Sequence, residues 1–213
     1  NTTQVIRLAP GEVDLRKLCE VDAIAESALR GEMGVSEAVA ALHALDAPAP
    51  TRERMLSTFA FGLTSAAVAT LLRSTWADVA VAGGIGLLIG LFYALGAARP
   101  RLAEALELIA ALLATLLAAA MASFFFPLSL KTVVVSSVIV LLPGMMLTNA
   151  VSELTSQQLV AGTARFAGAM ATLLKLAFGS MMASQIALLL HWSAIDYVDV
   201  QAVPTWTEWV ALP

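Results

Sequence analysis

The chain has 213 residues, 59% of them hydrophobic and 13% charged, with a mean hydropathy of +0.83 and a formal net charge of −4. That composition excludes an ordinary soluble domain and points to an integral membrane protein, and the lack of a basic patch excludes nucleic acid as a partner. A single cysteine, Cys19, excludes an internal disulfide, and no Cys/His/carboxylate spacing resembles a metal site, so neither a metal nor a cofactor is expected.

Six basic and nine acidic residues precede Met55, so residues 1–54 read as a polar segment ahead of a membrane body. Val13, Leu15, Leu18, Val21, Ile24, Ala25, Ala28 and Leu29 recur at helical spacing. They predict an amphipathic surface helix over 13–30, stopped by Gly31. A second short helix is expected from Ser36 to about Leu45, ended by Ala47-Pro48-Ala49-Pro50. His43 reads as an ordinary surface histidine. With no initiating methionine and no signal peptide, the chain reads as trimmed or as a piece of a longer protein.

Five apolar stretches follow, each close to the roughly 20 residues that cross a bilayer: Met55 to Leu72, Trp76 to Leu95, Ala103 to Phe126, Leu128 to Ala150 and Ala164 to Leu190. The fold class is therefore all-α and polytopic, with a cytoplasmic helical segment (1–54), a five-helix transmembrane domain (55–190) and an external or interfacial tail (191–213). Arg52 and Arg54, Arg99 and Arg101, and Arg165 mark one side, while the alternate connections hold only Arg73 and Lys131. The positive-inside rule then puts the N-terminus in the cytoplasm and the tail outside, where Trp192, Tyr197, Trp206 and Trp209 suit an interface. Gly83, Gly84, Gly86 and Gly90 in the second span read as small-residue faces for close helix packing rather than a nucleotide loop. Asp78, near the outer end of that span, reads as solvated.

Pro143-Gly144 interrupts the fourth stretch with the two residues least suited to a helix interior. Proline deprives the Ile139 carbonyl of its helical partner. The span is either kinked or discontinuous, and a discontinuous one would aim the N–H groups of about Met145 to Thr148 at an anion within the membrane. Ser137, Leu141, Gly144, Thr148 and Ser152 fall on one side by helical spacing. In the fifth span Gly168, Thr172, Lys175 and Gly179 likewise share a side, which directs a costly intramembrane lysine toward the bundle interior or water. Lys175 has three candidate roles: binding a carboxylate, pairing with Glu107, or capping carbonyls freed at Pro143. The candidate substrate-binding residues are Pro143, Gly144, Thr148, Asn149, Lys175 and Ser137, and the candidate proton-coupling residues are Glu107 and Glu153. Gly179-Ser180 with His191 is too weak a pattern for a serine–histidine hydrolase, and no enzymatic activity is expected.

The run from Pro143 through Asn149 to Leu154, with Gly162 and Arg165 after it, resembles the hallmark segment of the threonine/serine exporter family. Gly11-Glu12-Val13-Asp14-Leu15-Arg16-Lys17-Leu18, Gly31 and Glu37-Ala38 resemble that family's N-terminal region. Where the family often has a Gly–acidic pair this chain has Gln157-Gln158, and Gly168 ends the stretch where an acidic residue is often found. The resemblance implies an antiporter-like, proton-driven secondary transporter that exports threonine and serine across the bacterial inner membrane. It also implies a second membrane half, fused or separate, and is compatible with a homo-oligomer in the lipid bilayer. An odd number of spans would place a homologous second half inverted. The alternative from another class is a non-transporting membrane scaffold or assembly subunit, in which the proline only kinks and the lysine only caps.

Overall fold

The computed structural model describes residues 15–45, 51–96, 105–125 and 127–192, and these form eight α-helices and one 3-10 turn, with no strand among the described residues. The first helices, α1 (Leu15–Leu29) and α2 (Val35–Ala44), pack on each other. No residue of α1 is buried, in keeping with a surface helix. Gly31 ends α1 as expected: at φ +74° it lets Glu32 N–H reach the Ser27 carbonyl at 3.0 Å. Arg16 reaches Glu53 at 3.2 Å and ties α1 to the start of α3. Residues 1–14, the Pro48 and Pro50 stop, Arg99 and Arg101, and Tyr197, Trp206 and Trp209 of the tail lie outside the described residues.

Among the described residues, four helices are long and apolar enough to cross a membrane: α3 (Thr51–Leu71), α4 (Trp76–Gly96), α5 (Leu106–Phe124) and α8 (Leu159–Leu189). The fourth stretch is α6 (Leu130–Val138), a 3-10 turn (Ile139–Leu141) and α7 (Gly144–Thr155), bent by 59°; counted as one span, it makes five. Three boundaries differ from expectation, the first being the end of the fourth stretch, where α7 runs past Ala150 to Thr155. The α3 helix begins at Thr51 and runs unbroken through the polar-to-apolar change at Met55, because Glu53 and the arginines beside it are good helix formers. The α8 helix begins at Leu159, leaving only residues 156–158 between it and α7. At 31 residues, α8 is about 46 Å long and outreaches the bilayer core.

The helices meet on small residues, because polar or branched side chains would hold their backbones apart in lipid. A Cβ on Gly86 would lie 2.4 Å from Ser65 Oγ, and one on Gly90 would lie 3.0 Å from the Thr58 carbonyl, so α3 and α4 pack along this glycine face. Gly84, on the other side of α4, has nothing within 4 Å. Ala110, Ala111, Ala114, Ala118 and Ala122 bury one flank of α5. Large apolar side chains instead point outward, among them Leu63, Leu91, Phe178 and Met181, as a lipid-facing surface requires.

Asp78 is not solvated, contrary to its sequence position near a span end; it is 1% exposed. Thr75 and Asp78 form a capping box at the start of α4: Asp78 N–H donates to Thr75 Oγ1 at 3.2 Å, and Thr75 N–H donates back to the carboxylate at 3.1 Å. The other carboxylate oxygen accepts from Ser129 N–H at 2.9 Å, which pins the start of α6 to the start of α4.

Among the described residues, three helices end on residues in the left-handed region that are not glycine: Arg73, Gln157 and His191. Each lets the next amide close the helix end, as Gln158 N–H does on the Glu153 carbonyl at 2.9 Å. Gln157, with φ 62°, thus stands in a conformation that glycine adopts most readily.

Candidate functional site

The site is built on the broken span, and the break follows from proline chemistry. The ring of Pro143 disfavours the α conformation of the residue before it, and Leu142 is extended at φ −68°, ψ 128°. Pro143 itself, at φ −77°, ψ 54°, lies close to an inverse γ-turn, and Gly144 N–H donates across it to the Leu142 carbonyl at 2.7 Å. The Ile139 carbonyl does not go unpaired as the sequence suggested; the tightened 3-10 turn lets it accept Leu142 N–H at 3.2 Å. Leu147 N–H is the first amide to close a turn of α7, on the Pro143 carbonyl at 2.9 Å. The positive pole of the restarted helix is therefore carried by the amides of Met145 and Met146, ahead of that first turn.

A cavity of about 460 Å³ opens beside this break. Phe61 of α3, Tyr93 of α4 and Glu107 of α5 form one part of its wall. Val140, Leu141, Pro143 and Met146 of the broken span form the second, and Gly168, Ala171, Thr172 and Lys175 of α8 form the third. Every spanning element among the described residues contributes, and the volume falls in the range of small-molecule sites. Glu107 is in the first turn of α5, where the helix dipole favours a carboxylate, and Tyr93 is near the last turn of α4. The cavity therefore lies toward the end of the bundle where α4 stops and α5 starts. Phe61 and Tyr93 pack ring to ring with centroids 5.7 Å apart.

Lys175 Nζ donates to Glu107 Oε2 at 2.9 Å, across 68 residues of sequence and between two helices. A Cβ on Gly179, one turn along α8, would lie 2.4 Å from the Leu108 carbonyl oxygen, so α5 and α8 approach backbone to backbone just beside the pair. The second carboxylate, Glu153, accepts from Arg165 Nε at 3.0 Å and Nη2 at 2.9 Å, both on Oε1, which closes the α7–α8 hairpin. Its Oε2 is buried with no hydrogen-bond partner among the described residues. Gly162 packs on Leu154 in the same hairpin, where a Cβ would lie 2.8 Å from the leucine Cγ.

Of the candidate residues, Pro143, Lys175 and Glu107 are brought together on the cavity wall. Ser137 is buried and donates to the Val133 carbonyl of its own helix at 2.7 Å. Thr148 is exposed and donates to the Gly144 carbonyl at 3.0 Å. Gly144 is also exposed, Asn149 is half-buried, and neither they nor Glu153 line the cavity. The polar stripe read along the fourth stretch is divided at the break: Ser137 and Leu141 are buried, whereas Gly144, Thr148 and Ser152 are exposed. Phe61 and Tyr93 were not singled out in the sequence, where their aromatic character is indistinguishable from that of ordinary lipid-facing residues.

No curated protein and no solved structure matches the chain. A family model does: the one described as "Putative threonine/serine exporter", which matches residues 1–187. The proline-broken span, the helical membrane body and that match over most of the chain agree, and the protein belongs to the threonine/serine exporter family.

Proposed function

We propose that this chain is the substrate-carrying membrane half of a secondary transporter that moves threonine, serine or similar small amino acids out across the bacterial inner membrane. The observation that supports it is the cavity of about 460 Å³, walled by every spanning element and holding a lysine and a glutamate beside a helix break. A cavity shared by all spans changes shape when any of them moves, as alternating access requires. The carboxylate of the substrate is assigned to Lys175 and the pole behind Pro143. Gly144, Thr148, Asn149 and Ser137, on the same broken segment, are assigned to the path on either side of the cavity. Export is read as proton-coupled, with Glu107 and Glu153 as the carboxylates available for it. A second membrane half, fused or separate, completes the transporter.

Counterflow of labelled threonine into proteoliposomes tests this reading, with the chain reconstituted alone and with its second half. Saturable exchange that serine competes for is expected. No exchange in either preparation, from folded protein, would leave the scaffold reading. The orientation is tested on the native Cys19, which is exposed. A membrane-impermeant maleimide should label it only after the membrane is permeabilised, and labelling in intact cells would invert the topology.

A further inference from the structure

We propose that Lys175 and Glu107 form an exchangeable ion pair, parted by a zwitterionic amino acid that gives its carboxylate to the lysine and its ammonium to the glutamate. This rests on the transport reading above and specifies the ligand chemistry of the same cavity. In the empty site Lys175 Nζ holds the Glu107 carboxylate at 2.9 Å. When a zwitterion enters, each exchanges one charged partner for another, and the pair re-forms when the ligand leaves.

Three observations carry the inference. Both side chains line the cavity, whose remaining wall is mostly apolar and aromatic, so the two charges are the strongest polar handles a ligand meets. The pair is not sealed: the lysine side chain is 39% exposed and the glutamate 22%, so a small ligand can reach between them. It joins two helices far apart in sequence, α5 and α8, on the cavity wall, whereas the Arg165–Glu153 pair staples the consecutive helices α7 and α8 outside the cavity.

The charge count then sets the specificity. The pair is neutral as a unit and so is a zwitterion, which leaves the site with the same net charge whether empty or filled. A ligand lacking the ammonium leaves Glu107 beside an added carboxylate, and one lacking the carboxylate leaves Lys175 beside an added amine. Parting the pair without replacing both of its charges costs more beside a mostly apolar wall than in water, so both bind more weakly. A dicarboxylate brings two negative charges to one lysine and binds more weakly as well. The same neutrality lets the empty carrier return without an uncompensated charge, because the lysine takes the place of the ligand's ammonium on Glu107; of the two carboxylates available for coupling, Glu153 is then the one left to carry the proton.

Equilibrium binding to the wild-type protein in nanodiscs tests this with four probes: threonine, N-acetylthreonine, threoninol and succinate. Threonine is expected to bind, and each of the others to bind about tenfold more weakly or worse. Binding of N-acetylthreonine or threoninol within twofold of threonine would overturn the exchange. So would threonine binding at wild-type affinity to folded Glu107→Gln or Lys175→Met. If threonine fails to bind but glycine or alanine binds with the same dependence on both charged groups, the exchange stands and only the threonine assignment falls. Binding of no amino acid at all would overturn both.

Discussion

Pro143→Ala is expected to weaken threonine binding about tenfold or more in protein that still inserts and folds, while Gly144→Ala alone leaves binding within about twofold. The two residues interrupt the same span, but only one of them enforces the break. The proline removes an N–H, holds Leu142 extended and turns the chain through the tight bond from Gly144 to the Leu142 carbonyl. Alanine at 143 restores the missing donor and allows α6 and α7 to run together. The 59° bend would then relax, and the wall formed by Val140, Leu141, Pro143 and Met146 would leave the cavity. The amides of Met145 and Met146 would also disappear into ordinary helical bonds. Gly144, by contrast, is already the first residue of α7 and has nothing within 4 Å of where a Cβ would stand. The double variant should therefore behave like Pro143→Ala. Unchanged threonine binding in folded Pro143→Ala protein would make the break a packing kink and place the substrate elsewhere.

Gly179→Leu is expected to cost about 1–3 kcal/mol of stability and to abolish binding as well, because it acts on the seam that holds the ion pair together. A Cβ at 179 would meet the Leu108 carbonyl oxygen at 2.4 Å, Ala111 Cβ at 3.1 Å and the Leu112 nitrogen at 3.1 Å. Two of those three atoms are backbone, so the neighbour cannot yield by changing a rotamer. The α5 and α8 helices must separate, and Lys175 lies one turn from the point of separation. Gly179→Ala should show a smaller effect in the same direction. Gly84→Leu is the control, since that glycine faces open space and the substitution adds only an apolar side chain to an apolar surface. Thermal unfolding in detergent, read alongside threonine binding, checks the series. Wild-type melting and binding by Gly179→Leu would mean that α5 and α8 are not in backbone contact there.

Much of this architecture was decided by the sequence alone, because its causes are local. Apolar runs of bilayer length become spanning helices whatever their neighbours, since a backbone in lipid must satisfy its own hydrogen bonds. Proline breaks its helix through its own ring and the residue before it, so an interruption at Pro143 was legible too, while the choice between a kink and a discontinuous helix was not. The glycine face of α4 was also legible, because small residues on one side of an apolar helix have few uses other than close packing. The Thr75-Trp76-Ala77-Asp78 capping box was present in the sequence as well, but its proximity to a span end made solvation of Asp78 the simpler reading.

Tertiary structure decided the rest. The sequence offered Lys175 three roles, and only the packing of α5 on α8 selected Glu107 as its partner, since the two are 68 residues apart and no periodicity links them. Burial of Asp78 likewise depended on the docking of α6, whose Ser129 amide completes the coordination of the carboxylate. The polar stripe from Ser137 to Ser152 assumed one helical phase across the break. A 3-10 turn followed by an extended residue resets that phase, so α7 presents Thr148 on a face that Ser137 does not share. Local chemistry can say that a helix stops and restarts; the rotation at which it restarts is set by what the second half packs against, here α8.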